Sequence, residues 1–222
     1  MMESPILAID ASTYTGSVAI ISANRVVCEY EVAMRGRDEE RLMPAVAEAL
    51  KVAGIATDDI GSVACGSGPG SFTSLRIAAS IAKGFAFGGG IPLYAVPSLL
   101  LMLAGSAWST TGGRYLTVLD AMRGELFAAC YEVSVGDGIR EITPVALLGT
   151  AALDATAARL GASIMGIGRQ LDAFPRASGV AHCNRADLLR VDLAKWEPEY
   201  GRLSEAQVRW ELTNARPLNA LP

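Results

Sequence analysis

The hydrophobic pattern of the chain contains two copies of one design: an apolar strand, an acid at a turn and a second apolar strand. The first copy spans residues 6–22 and the second spans residues 116–131. In each copy the first strand ends on an acid, Asp10 in one and Asp120 in the other. Short apolar runs separated by a turn are typical of a β-hairpin. The pattern therefore predicts two hairpins that are far apart in the chain.

A second pair of matching segments follows the hairpins. Residues 63–68 and 164–168 are both short apolar strands that end in Gly-x-Gly. The same order of elements in both halves favours an internal duplication, although hairpins and glycine-ended strands are also frequent in unrelated α/β proteins. The predicted organisation is an N-terminal lobe of residues 1–105, which carries the partner-binding helices, and a smaller C-terminal lobe with its tail, residues 106–222.

The first lobe is predicted to contain two helices. The first begins with the acids of residues 38–40, which suit a helix N-terminus, continues as an apolar stripe and ends at Gly54. The second begins with Ser71 or Thr73 as its N-cap and ends at the triple glycine of residues 88–90. Its apolar residues lie on nearly all faces, so all faces require cover. The sequence leaves open whether the domain itself or another subunit supplies the second cover.

Composition and charge narrow the class of protein. The chain has 222 residues, 51% of them hydrophobic, and a net charge of −4, which excludes a disordered chain and argues against a stand-alone RNA-binding protein. The four cysteines are widely spaced and are predicted to be reduced core thiols. No basic residue precedes the first apolar run, so a cytoplasmic protein without a secretory leader is expected. The apolar stretch 91–108 is interrupted by prolines and a glycine, and it predicts a buried helix rather than a membrane span.

Several motifs, taken in order, resemble the TsaB (YeaZ) family. They are Ile-Leu-Ala-Ile-Asp-Ala-Ser-Thr at residues 6–13, Gly-Ser-Gly-Pro-Gly-Ser-Phe-Thr-Ser-Leu-Arg at 66–76, Ala-Lys-Gly at 82–84, Ile-Pro at 91–92 and Asp-Ala-Met-Arg-Gly-Glu at 120–125. The resemblance covers nearly the whole chain. It implies an α/β protein with the actin-like, Hsp70-like ATPase (ASKHA) fold, built from two duplicated ribonuclease-H-like lobes of which the second is reduced.

The resemblance also implies a function. TsaB proteins are scaffolds and activators in the complex that makes N6-threonylcarbamoyladenosine in tRNA. The catalytic relative TsaD transfers the threonylcarbamoyl group from threonylcarbamoyl-AMP to the adenosine beside the anticodon, and the ATPase TsaE joins the pair. The expected partners are therefore TsaD, TsaE and, for the chain alone, a second copy, with tRNA reached only through the complex. No cofactor is expected for the isolated chain, and ATP or ADP at an interface of the complex stays open.

The sequence independently argues against catalysis by this chain. Residues 35–44 contain no histidine, whereas TsaD-like relatives hold a metal with a His-x-x-x-His pair on this helix. His182 is the one histidine of the chain, and a lone imidazole is more often a structural or surface residue than a ligand. There is no Gly-x-Ser-x-Gly elbow and no P-loop lysine. No catalytic and no metal-binding residue is therefore predicted. The alternatives are an actin-fold ATP-dependent phosphotransferase and, more weakly, a metallopeptidase.

The first hairpin and the first glycine loop could retain part of a nucleotide site, because tight glycine turns let backbone N–H groups approach phosphate oxygens. The alternative, which is preferred, is a tight connection that seats the following helix. The candidate vestigial nucleotide-binding residues are Asp10, Ser12, Thr13, Gly66, Gly68 and Gly70.

The two predicted helices of the first lobe are also the expected partner surface. Together their apolar faces could bury a patch of roughly 800 Å² per partner. The predicted partner-binding residues are Leu42, Met43, Val46, Leu50, Leu75, Ala78, Ala79 and Ala82.

Overall fold

The computed structural model describes residues 4–34, 40–183 and 187–201, together with Trp210 and Thr213. Within these residues the chain forms eleven strands and four α-helices. The strands are β1 (Ile6–Asp10), β2 (Thr15–Ser22), β3 (Arg25–Ala33), β4 (Ser62–Gly66), β5 (Leu93–Val96), β6 (Gly113–Asp120), β7 (Glu125–Ser134), β8 (Gly138–Gly149), β9 (Ala162–Gly166), β10 (Leu171–Asp172) and β11 (Leu189–Arg190). The helices are α1 (Leu42–Ala53), α2 (Phe72–Gly89), α3 (Ser98–Ala104) and α4 (Leu153–Leu160).

The strands form two sheets with the same topology. The first sheet has the order β11-β5-β4-β1-β2-β3, and the second has the order β10-β9-β6-β7-β8. In each sheet a hairpin comes first, β1 with β2 and β6 with β7, and a later strand then lies parallel to the first strand of that hairpin, β4 beside β1 and β9 beside β6. Both predicted hairpins and the predicted internal repeat are therefore confirmed.

The second half is the reduced copy. In the first half the long helix α2 connects β4 to β5, whereas in the second half only the turn of residues 167–170 connects β9 to β10. The chain then returns to the first half, where β11 pairs antiparallel with β5 at the edge of the first sheet. The predicted boundary between residues 105 and 106 falls in the connection between α3 and β6, but the strand β11, which lies beyond that boundary, completes the first sheet.

Helix α1 begins later than the run of acids predicts. The carboxylate of Glu40 accepts hydrogen bonds from the backbone N–H groups of Leu42 and Met43 and so caps the first turn from outside the helix. Two of the three predicted acids, Asp38 and Glu39, lie outside the described residues. The predicted end is confirmed, because Gly54 has a φ of 64° in the left-handed region that closes many helices.

Helix α2 starts at Phe72, and the side chain of the predicted cap Ser71 makes no capping bond to the helix backbone. The Ser71 hydroxyl lies 3.0 Å from that of Ser74 instead. The helix ends as predicted in the triple glycine, at Gly90 with a φ of 61°. The predicted glycine stop therefore holds, but no side chain caps the beginning.

The core between the two sheets is built around α3, in which every residue is buried. This helix packs on β6 and β7 of the second sheet and on a 3₁₀ turn at Ala177–His182. It is the buried helix that the apolar stretch 91–108 predicts. In the described part of the chain, no helix combines the length and the apolar character that crossing a membrane requires. The four cysteines are free thiols, as predicted, but only Cys65 and Cys130 lie in the core, since Cys28 and Cys183 are half-buried.

Candidate functional site

Asp10, the acid that ends the first strand, points into the protein. Its side chain is fully buried at the end of β1. One carboxylate oxygen accepts hydrogen bonds from the backbone N–H of Ser12 (2.9 Å) and from the Ser12 hydroxyl (2.8 Å). The other accepts a hydrogen bond of 2.6 Å from the hydroxyl of Ser98, the first residue of α3. The acid therefore ties the hairpin turn to a core helix, and no carboxylate oxygen faces the cleft to hold a metal ion.

Burial raises the pKa of Asp10 above its ordinary value, and the hydrogen bonds from Ser98 and Ser12 oppose that rise without cancelling it. The native state therefore binds a proton at Asp10 more readily than the unfolded chain does. Proton binding at Asp10 therefore stabilises the native state. This contribution is complete below the pKa of an aspartate in the unfolded chain, about 3.9, and is lost as the pH rises through the native pKa of Asp10.

We expect Asp10→Asn to remove this pH dependence. Between about pH 4 and the raised native pKa, the free energy of unfolding of the wild type should fall relative to that of the variant, by up to about 1.4 kcal/mol per pH unit. Urea unfolding of both proteins from pH 4 to pH 8 measures the difference. A difference between the two proteins that stays constant over this range would contradict the buried, proton-binding carboxyl.

The glycine loop, residues 66–70, follows β4 and lies against the hairpin turn. A Cβ atom on Gly66 would lie 1.9 Å from a carboxylate oxygen of Asp10. A Cβ atom on Gly70 would lie 2.1 Å from the carbonyl oxygen of Ser12. The structure thus brings these predicted residues together, and two of the three glycines are there because the hairpin approaches too closely for any side chain.

Several backbone N–H groups in and beside this loop are already used inside the protein. Ser67 donates to the Val96 carbonyl at 2.8 Å, Gly68 donates to the Ser98 hydroxyl at 3.1 Å, and Ser71 donates to the Ser12 carbonyl at 2.7 Å. Pro69 has no N–H group. A phosphate-binding loop needs several N–H groups that point at the anion. Ser67, Gly68 and Ser71 therefore have no backbone N–H group left for the phosphates that an actin-like fold implies.

The hydroxyls of the first hairpin turn are also occupied. Ser12 donates to Asp10, and Thr13 donates to the carbonyl of Thr15 (2.7 Å) while accepting from the Thr15 N–H (3.1 Å). The six candidate nucleotide-binding residues thus form one structural unit that joins β1, β4 and α3. This geometry favours the tight-connection interpretation, and nucleotide binding stays a prediction.

The second hairpin turn is built differently. Asp120 is exposed, and its carboxylate accepts a hydrogen bond of 2.7 Å from the backbone N–H of Met122. Met122 and Arg123 have φ angles of 64° and 56°, a conformation that side-chain-bearing residues rarely adopt. The exposed Met122 side chain lies beside the cleft between the lobes. The acid of the second copy therefore shapes a turn at the surface, whereas the acid of the first copy is sealed in the core.

A cavity of about 300 Å³ lies between the two hairpin turns. Most of the residues that line it are apolar, so it offers little to a charged ligand. Of the lining residues, the sequence analysis selected only Ser12, Thr13 and Gly70 as site residues. It did not select the large apolar and aromatic side chains, although Phe72 belongs to the motif of residues 66–76: Tyr14, Phe72, Leu119, Met122, Phe127, Ile167 and Tyr200.

The described part of the chain contains no group of three or more His, Cys, Asp or Glu side chains that could hold a metal ion. His182 is exposed at the end of the 3₁₀ turn, remote in sequence from both hairpin acids. The cysteine thiols are poor nucleophiles, since burial raises the pKa of Cys65 well above its ordinary value and that of Cys183 to about 12. Among the described residues, the structure thus adds neither a metal-ligand cluster nor an activated thiol to the predicted site residues.

The predicted set of partner-binding residues is corrected by where the structure places their side chains. Seven of the eight are buried within this chain, and only Met43 is exposed, at 43%. The apolar stripe of α1 and the small residues of α2 pack against the first sheet, because the lobe's own sheet covers the face that periodicity marks as apolar. The buried residues are Leu42, Val46, Leu50, Leu75, Ala78, Ala79 and Ala82.

The opposite faces of the same two helices are exposed. On α2 this face includes Thr73, Arg76, Ser80, Gly84 and Phe87, spaced three or four residues apart, and Phe87 is 83% exposed. On α1, the solvent-facing residues include Met43, Ala47 and Val52. The two helices can still offer a surface to a partner, but with residues other than those that the apolar stripe selects.

Comparison with known proteins gives consistent relatives. The family model described as TsaD, tRNA N6-adenosine threonylcarbamoyltransferase, matches residues 32–176. The tRNA threonylcarbamoyladenosine biosynthesis protein TsaB of Escherichia coli K12 is 39% identical over 128 residues, 57% of this chain and 54% of that protein. The protein of the same name from Bacillus subtilis 168 is 28% identical over 227 residues, 92% of this chain and 97% of that protein. The match thus spans about half of the first relative and nearly all of the second.

Two solved structures from Pseudomonas aeruginosa share the fold. An uncharacterized protein with similarity to the peptidase YeaZ has a TM-score of 0.74 and 26% identity, covering 90% of this chain and all of that one. YeaZ itself has a TM-score of 0.71 and 25% identity over 89% of this chain and 99% of that one. These likenesses and the repeated sheet topology confirm the predicted actin-like (ASKHA) fold class. The chain therefore belongs to the TsaB (YeaZ) branch of the TsaD family.

Proposed function

We propose that this chain acts in the biosynthesis of N6-threonylcarbamoyladenosine in tRNA, as a non-catalytic subunit that binds and activates TsaD. The assignment to the pathway is supported by the relatives, which are named for this biosynthesis. The non-catalytic role is supported above all by Asp10, the acid at the place where an actin-like enzyme would handle nucleotide and metal. It is buried and saturated with internal hydrogen bonds.

The partner surface in this proposal is the exposed face of α1 and α2. Exposed apolar residues on neighbouring helices are suited to packing against helices of another protein. TsaD is the proposed partner in the active complex, TsaE joins them, and a second copy of this chain takes the same face when TsaD is absent. The proposed site of action is the cytoplasm. In this arrangement, tRNA contacts the chain only through the complex, in keeping with the chain's acidic net charge.

Reconstitution tests the proposed role. TsaD, TsaE, tRNA and threonylcarbamoyl-AMP are combined with and without this chain, and the modified adenosine is quantified. We expect modification only in the mixture that contains the chain, and no ATP or threonylcarbamoyl-AMP turnover by the chain alone. Turnover of ATP by the isolated chain would instead support the alternative, an actin-fold phosphotransferase.

A substitution in the same assay tests the surface. We expect Phe87→Glu to weaken TsaD binding roughly 30-fold, because placing a charge where an aromatic side chain would be buried costs about 2 kcal/mol. Val135→Glu is the matched control: Val135 is 78% exposed, and it lies in the turn between β7 and β8. Equal binding by both variants would remove the surface assignment. Ala78→Glu would be uninformative, since Ala78 is fully buried and a charge there disrupts the core.

A further inference from the structure

The segment of residues 196–201, here called the strap, lies across the glycine loop. The backbone N–H of Glu199 donates a hydrogen bond of 2.7 Å to the carbonyl of Ser67. The carbonyl oxygen of Glu199 lies 2.2 Å from the position that a Cβ atom on Gly68 would take. Gly68 has a φ of 94° as well. The loop therefore has a glycine where the strap passes, because no side chain fits beneath it.

The strap also contacts the second lobe and the rim of the loop. A Cβ atom on Gly201 would lie 2.4 Å from the ring of Phe127, on β7, and 3.0 Å from the side chain of Pro69. Pro198, in the middle of the strap, is buried. The strap thus rests on both halves of the molecule at the mouth of the cleft.

Side chains tie the strap to the beginning of α2. The rings of Tyr200 and Phe72 contact each other at a tilt of 47°, with their centroids 4.5 Å apart. The guanidinium of Arg76 lies 4.0 Å from the centroid of Phe72, and its Nε donates a hydrogen bond of 3.1 Å to the Tyr200 hydroxyl. Farther along α2, the ammonium of Lys83 lies 5.7 Å from the ring of Trp196. Aromatic pairs and cation–π contacts of this kind add to apolar burial.

The chemistry of the loop suits this occupant. The N–H groups of Ser67 and Gly68 are used internally, while the carbonyl of Ser67 accepts a hydrogen bond from the strap. A loop that offers an acceptor and a side-chain-free floor complements a peptide backbone, which brings its own N–H donor. We propose that the glycine loop is a peptide-docking site whose occupant is the chain's own strap, in the position that the fold would otherwise give to nucleotide phosphates.

Backbone hydrogen exchange tests the docking directly, in the full chain. The exchange of the Glu199 amide is measured by NMR in the wild type and in two variants. Tyr200→Ala removes the ring contact without altering the loop, and Gly68→Ala removes the space under the strap. We expect this amide to exchange at least about tenfold faster in both variants than in the wild type, because protection reports the closed hydrogen bond. Gly54→Ala is the matched control, since Gly54 also has a positive φ, of 64°, but nothing lies within 4 Å of its added Cβ. It should leave Glu199 exchange unchanged.

The same measurement with 5 mM Mg-ATP shows whether the loop holds the strap or binds phosphates instead. Unchanged protection of Glu199 in the wild type supports docking of the strap in place of phosphates. Faster Glu199 exchange on addition of Mg-ATP would overturn the proposal, because the loop would then release the strap to bind phosphates. Wild-type exchange as fast as that of Tyr200→Ala would overturn it as well. None of these outcomes depends on TsaD, so the docking can fail while the proposed function stands, and the reverse.

Discussion

Replacing Gly70 by alanine is expected to lower the free energy of unfolding by about 3 kcal/mol or more. The added Cβ would lie 2.1 Å from the carbonyl oxygen of Ser12 and 2.7 Å from its carbonyl carbon. Both atoms are backbone, and the same oxygen accepts the hydrogen bond from Ser71. No side-chain rotation relieves the clash, so the hairpin turn and the glycine loop must separate. Urea unfolding followed by circular dichroism measures the loss.

Gly84→Ala is the control for this prediction. Gly84 lies in the middle of α2, and no heavy atom lies within 4 Å of its added Cβ. Alanine restricts the unfolded chain and favours the helix, so the free energy of unfolding should rise by about 0.5–1 kcal/mol. If Gly70→Ala changed stability as little as Gly84→Ala does, the close approach of loop and hairpin would be incorrect.

The second large effect is expected at the junction of the two halves, where Glu29 of β3 meets the segment that leads into the 3₁₀ turn. The Glu29 carboxylate accepts hydrogen bonds from the Arg176 guanidinium (3.0 Å) and from the backbone N–H of Ser178 (3.1 Å). Its side chain is only 16% exposed. Glu29→Ala should lower the free energy of unfolding by about 2 kcal/mol, since it removes two hydrogen bonds to a charged acceptor and leaves the Ser178 N–H unpaired. Arg176 keeps a second partner in Glu31, which limits the loss.

Glu48→Ala provides the comparison for Glu29→Ala. Glu48 pairs with Lys51 at 3.4 Å one turn along α1, and both side chains are exposed. Exposed ion pairs contribute little, so this change should stay within about 0.5 kcal/mol of the wild type. Unfolding curves of both variants, measured at the same pH and salt, decide the matter. Similar losses for both would mean that the junction does not depend on the Glu29 carboxylate.

Much of the fold could be predicted because its signals are local. The apolar runs on either side of Asp10 and Asp120 mark both hairpins, and the glycines at 54 and 90 close the first two helices in the left-handed conformation that they permit. The start of α1 could not be placed, because the cap is Glu40, an acceptor from just outside the helix. A run of acids shows that a helix begins nearby without showing which one caps it.

The sequence indicated which residues of the candidate site come together, but not where the Asp10 side chain points. The sequence placed Asp10, Ser12 and the glycines in one unit, and the structure brings them together. The sequence could not show that Asp10 accepts a hydrogen bond from Ser98 of a later helix, a contact that keeps the carboxylate out of the cleft. Similarly, the stripe on α1 and α2 marked an apolar face correctly, but periodicity alone does not distinguish a face covered by the lobe's own sheet from one left for a partner.

The sequence by itself determined the repeated hairpins, the glycine-terminated helices and the family, because these depend on residues that are close together in the chain or on ordered motifs. Only the tertiary structure decided which faces are buried and what fills the glycine loop. Tyr200 and Arg76 are 124 residues apart, and yet they hydrogen bond. Such long-range contacts depend on how the two halves pack, and no local pattern of hydrophobic and polar residues encodes that packing.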